Sequence, residues 1–154
     1  MSSRGFEFAY MLDGSNATPV IRDFPVHGTG AYAVGDLVVI NGSADGEVTR
    51  VTSTTTEVTG VMQETRAASV GADADKMKLA IITRGQVWRC SMDASTCATV
   101  IPGYVKSLDT ADHNTISATD VTGGAMTAVD VSTLDDDGNV MAYVVFLDTT
   151  FGNT

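Results

Sequence analysis

Histidines, cysteines and clustered carboxylates are the groups with which this chain could do chemistry near neutral pH. His27 and His113 stand in turn-like contexts, and neither has a metal-ligand partner two, three or four residues on. Both are expected to be exposed polar loop residues. Cys90 and Cys97 flank a polar loop at a spacing wider than a C-x-x-C redox or zinc pair, and no second Cys/His pair accompanies them. Two states are open: reduced small hydrophobes, which is the preferred reading, or a loop disulfide. Asp135-Asp136-Asp137-Gly138-Asn139 gathers carboxylates that could hold Ca²⁺, but an EF-hand loop needs a Glu where Val144 stands. A solvated turn entering the next strand is the simpler account.

Nucleophile motifs are absent: there is no G-x-S-x-G, and no Ser or Cys has a defensible His partner. Gly28-Thr29-Gly30 leads into a strand and lacks the Lys and helix N-terminus that cradle phosphate. Paired carboxylates for glycoside hydrolysis form in space and leave no sequence trace. An aromatic content of 6% and the single Trp88 speak against a sugar-stacking groove, and Trp88 reads as a core or interface residue. No catalytic residue, cofactor or metal is expected, and the chain does not read as an enzyme.

The elements that would position any site are strands. The 154 residues, 16.1 kDa, suffice for one domain with its own core. Hydrophobic residues make up 44% and charged residues only 18%, so the chain should fold. Thr (21), Val (19) and Gly (15) dominate, against 3 Lys and 4 Glu. Thr and Val suit strands, whereas Lys and Glu furnish helix surfaces. The expected class is all-β, a small barrel or sandwich, with a mixed α+β domain as the alternative. A net charge of −10 and a pI near 4.3 disfavour nucleic acid, whose affinity comes largely from Lys and Arg. No apolar run approaches the roughly 20 residues that span a bilayer. The start, Met1 to Glu7, has no apolar core of a signal peptide.

Residues 1–33 read as an extended N-terminal arm. Phe6, Phe8 and Tyr10 alternate with Glu7 and Ala9 as a short strand, followed by the turn Asp13-Gly14-Ser15-Asn16. Pro19, Pro25, Gly28 and Gly30 then forbid a long helix or a central strand. The arm either reaches another molecule or packs on its own domain. Residues 34–154 read as the β body, with a C-terminal extension or subdomain from about residue 99 left open. Strands are expected at 37–40, 47–52, 57–62, 77–83, 86–90, 115–117, 126–131 and 140–147. Turns are expected at Asn41-Gly42, Arg84-Gly85 and Pro102-Gly103, a loop or single helical turn at 67–76, and a short helix at 93–95. The run Val140 to Leu147 is apolar on both faces and belongs at the centre of a sheet.

Val34-Gly35-Asp36-Leu37-Val38-Val39-Ile40-Asn41 resembles the G-D-x-V strand opening of tailed-phage capsid decoration, or cement, proteins. Gly60-Val61-Met62-Gln63, an alanine-rich link, and the hairpin Leu79 to Trp88 resemble the later strand, link and hairpin of that family. A polar arm rich in Gly and Pro is similar to the lambda-type head decoration proteins. The resemblance covers roughly residues 33–95; the stretch 99–154 exceeds the lambda-type pattern.

The resemblance implies a β-tulip-like body, a homotrimer and a place on the outer surface of the virion capsid. There it would bind the major capsid protein and cement neighbouring subunits against internal DNA pressure, with no nucleic-acid or membrane partner. Phe6, Phe8 and Tyr10 are the expected capsid-binding anchors of the arm. The alternative is a receptor- or carbohydrate-binding β-module of a phage fibre or baseplate; a hydrolase with a carboxylate pair is the more distant one.

Overall fold

The computed structural model describes residues 5–40, 46–52, 55, 57–94, 107–121, 124–134 and 138–151. Among them all regular structure is β. The strands are β1 (Glu7–Met11), β2 (Ile21–Pro25), β3 (Leu37–Ile40), β4 (Val48–Arg50), β5 (Glu57–Val58), β6 (Gly60–Met62) and β7 (Lys76–Ile81). They continue as β8 (Gln86–Ser91), β9 (Ser107–Asp112), β10 (Thr115–Val121), β11 (Met126–Leu134), β12 (Val140–Phe146) and β13 (Asp148–Thr149). A six-stranded sheet has the order β1-β8-β12-β11-β9-β10, and a five-stranded sheet β2-β7-β6-β3-β4. β13 and β5 form a small parallel pair. None of these sheets closes into a barrel.

The larger core takes residues from both main sheets: Leu37, Val61 and Ala80 from the five-stranded one, Trp88, Cys90, Val144 and Phe146 from the six-stranded one. A second cluster holds Val26, Tyr32, Val38, Val48, Met62, Met77, Leu79 and Ile81. Neighbours in sequence divide between the two, Leu37 from Val38, Val61 from Met62 and Ala80 from Ile81. Successive strand side chains point to opposite faces, so the five-stranded sheet is covered on both. That is why its strands read as continuous apolar runs. β12 lies between β8 and β11, as its apolar run implies.

The N-terminal stretch expected as an extended arm lies on the chain's own sheets. β1 pairs antiparallel with β8, and β2 with β7. Both are outermost strands, which is the place where Pro25 is tolerated. Phe6 is 2% exposed and sits in the larger core. Its N–H donates to the Gly35 carbonyl at 2.8 Å. A Cβ on Gly5 would stand 2.8 Å from the Gly35 Cα, so only glycine permits this close approach, and Gly5 also has φ +73°. Residues 6–11 are therefore part of the body's packing rather than a limb apart from it.

Residues 107–146 supply β9 to β12 of the same sheet that holds β1 and β8, so no C-terminal subdomain stands apart among the described residues. β9 gives no sequence signal because Ser107 to Asp112 is polar; it is held by backbone pairing to β10 and β11. Residues 67–75 form turns, and no helical turn occurs there. β3 and β4 pair as the expected hairpin, with Ile40 opposite Val48. The turns at Asn41-Gly42 and Pro102-Gly103, Ser95, Cys97 and Asp135 to Asp137 lie outside the described residues.

Candidate docking surface

β7 and β8 belong to different sheets and are joined by the turn Thr83-Arg84-Gly85-Gln86. Gln86 holds that turn: its Oε1 accepts from the Thr83 N–H (3.0 Å) and from the Trp88 indole N–H (3.2 Å). β1 and β2 flank this hairpin on the outside, so the 12–20 connection crosses from one sheet to the other. It starts as the turn its residues foretell. Leu12 N–H donates to the Gly85 carbonyl, and Gly14 N–H to the Met11 carbonyl. The Asp13 carboxylate accepts from the Ser15 N–H at 2.9 Å, which holds the Asp13 pKa below its ordinary value.

Exposed apolar side chains concentrate in this stretch of chain. Tyr10, Leu12, Val20 and Ile21 are 43%, 52%, 51% and 45% exposed. They are half of the exposed large hydrophobic residues among those described, gathered into twelve positions of chain. Val20 lines a groove of about 550 Å³ with Met11, Phe24, Ile81 and Phe151, and Arg22 and Asp23 are among its polar members. The Phe24 and Phe151 rings meet at 6.1 Å. A smaller hollow of about 350 Å³ opens between Pro19, Ile21, Val34 and Trp88. An outermost strand also leaves its outward N–H and C=O groups without a strand neighbour, a template for adding another chain.

The three expected anchors part company. Phe6 packs on Phe146 (ring centroids 5.7 Å apart) and is unavailable to a partner. Phe8 is half-buried, edge-on to Trp88 at 5.6 Å. Tyr10 alone reaches the surface, stacked on Tyr143 at 6.4 Å. The cause is a register shift between Phe8 and Tyr10: Phe8 stands opposite Trp88, and Tyr10 opposite Val87. An extra residue in one strand turns its following side chains to the other face. Tyr10 thereby joins Tyr143 and the Glu7–Arg89 ion pair (2.6 Å) on the face away from Trp88. The hydrogen bond from Arg89 to Glu7 is the main reason the guanidinium pKa is raised. Leu12, Val20, Ile21 and Phe151 went unnoticed in the sequence because they follow no period.

Cys90 carries a free thiol deep in the core, donating to the Asn114 carbonyl at 3.2 Å, and burial raises its pKa far above the ordinary range. His27 is the exposed loop residue expected of it, whereas His113 is not. His113 is mostly buried between Asp112 and Asp36. His27, half exposed, meets Glu47 at 2.9 Å. Each carboxylate arrives from a separate segment or a tight turn, which spacing rules do not anticipate. No family model, curated protein or solved structure matches the chain.

Proposed function

We propose that this protein is a capsid cement protein, a homotrimer seated on the outer surface of a phage head that ties neighbouring major capsid protein subunits together. The observation that carries the reading is the set of exposed apolar side chains, Tyr10, Leu12, Val20 and Ile21, borne by two outermost strands and their connection. Apolar anchors on edge strands are the combination on which strand addition relies. The acidic charge suits a protein that has no need to hold DNA. The family resemblance of residues 33–95 supplies the identity of the partner. A trimer engaging three sites at once would raise avidity by roughly 10²–10⁴ over a single contact.

The test is to mix the protein with expanded heads that lack it, pellet the heads and count bound copies. Saturable binding at about three copies per threefold position, with heads then resisting heat, is the expected result. The double variant Leu12→Asp, Val20→Asp should fold and stay in the supernatant. Parent protein that fails to pellet with heads, or a double variant that binds as well as the parent, overturns the reading.

A further inference from the structure

Three side chains from separate segments converge at the five-stranded sheet. His27 follows β2, Glu47 immediately precedes β4, and Asp73 lies in the 67–75 loop. His27 Nδ1 is 2.9 Å from Glu47 Oε2 and 3.9 Å from Asp73 Oδ1. One nitrogen and two carboxylate oxygens thus lie within 4.8 Å of one another. Two ligand atoms bound tetrahedrally to a common ion at about 2.0–2.1 Å stand roughly 3.3 Å apart, and the observed separations bracket that value.

Glu47 is 5% exposed. A carboxylate withdrawn this far from water is costly unless an opposite charge faces it. The neighbouring backbone is held in place. His27 N–H donates to the Val48 carbonyl at 2.9 Å, and the Tyr32 hydroxyl donates to the His27 carbonyl at 3.0 Å. Gly28 N–H donates to Asp73 Oδ1 at 2.7 Å, aiming that carboxylate. Val26 and Ala74 tie the two loops together by paired backbone bonds, Val26 to Asp75 and Ala74 to Val26. The buried Arg66 braces the same loops from carbonyl to carbonyl, at Gly28, Gly30 and Ala72. Val26, Val48 and Tyr32 form an apolar floor. Donors on a braced frame, over an apolar shell, are what a preorganised metal site requires.

We propose that His27, Glu47 and Asp73 bind a divalent transition ion of the zinc type and so fasten the 26–31 and 67–75 loops to β4. An imidazole nitrogen beside two carboxylates suits Zn²⁺, whereas Mg²⁺ and Ca²⁺ favour all-oxygen sites. Binding needs the His27 Nδ1 lone pair, so a proton on that nitrogen leaves to solvent as the ion enters. Three protein donors leave a fourth position for water or a partner's ligand atom.

The experiment is calorimetric titration of chelator-treated full-length protein with zinc chloride in excess magnesium. The expected result is saturable binding of one ion per chain, and a melting temperature raised by zinc. Asp73 is 62% exposed, so Asp73→Asn should fold normally. It should weaken binding about tenfold or more, since even the outer partners of metal ligands are worth about that much. Glu47→Gln should abolish binding. Replacing zinc by cobalt should give a spectrum without a thiolate charge-transfer band. Lack of saturable binding overturns the proposal, as does equal binding in both variants or a thiolate band assigning the ion to cysteine.

Discussion

Phe6→Ala asks whether the N-terminal aromatics belong to the body or to a partner. The ring is 2% exposed, packed on Phe146, and lies in the core shared by both main sheets. Truncating a buried Phe costs about 3–5 kcal/mol, the transfer of the ring plus the cavity it leaves. In a domain of this size each 1 kcal/mol moves the melting temperature by about 2–4 °C, so a fall of roughly 6–20 °C is expected. Leu12→Ser is the contrast. Leu12 is half exposed, and surface changes of that kind stay within about 0.5 kcal/mol, a shift of at most about 2 °C. Thermal and urea melts followed by circular dichroism and by Trp88 fluorescence measure both. The variants then go into the head-pelleting assay under conditions where both are folded. Phe6→Ala should bind as the parent does, and Leu12→Ser should bind more weakly. A Phe6→Ala protein that melts with the parent but no longer pellets would refute the placement of Phe6 in the core.

Gly60→Ala should lower the urea midpoint by an amount worth about 1–3 kcal/mol, because its new Cβ would stand 2.6 Å from the Ala80 carbonyl oxygen in the neighbouring strand. An unchanged midpoint would show that β6 and β7 can part without cost. Cys90 should resist a thiol reagent at pH 8 in the native protein and react once denaturant opens the core, since its thiolate is disfavoured by burial. Peptide mapping reads this directly, and native labelling of Cys90 at the rate of a free thiol would contradict its buried position.

Much of the strand framework was legible from composition and period. Val and Thr in place of Lys and Glu indicated an all-β chain, and the apolar run of β12 marked an interior strand. Leu37-Val38-Val39-Ile40 and the turn at Arg84-Gly85 were equally plain, because each is a local feature of a few residues. β9 was silent because a polar strand held by its backbone carries no hydrophobic period.

The candidate surface was less legible. The alternation of Phe6, Phe8 and Tyr10 was real, but period 2 says only that side chains share a face, not whether that face meets the chain's own core. Pairing with β8 decided that, and one register shift in β1 moved Tyr10 to the opposite face. That Leu12, Val20 and Ile21 stay exposed was decided by the places of β1 and β2 at the outside of their sheets. His27, Glu47 and Asp73 likewise meet only in the folded chain. They are 20 and 26 residues apart along the chain, far beyond any helical or strand period. Sequence alone determined most of the apolar segments that extend, and the turn at Arg84-Gly85, because backbone preference and side-chain alternation act over a few residues. Tertiary structure alone decided which side chains face the core, the solvent or one another, because strand register joins residues that local preference does not connect.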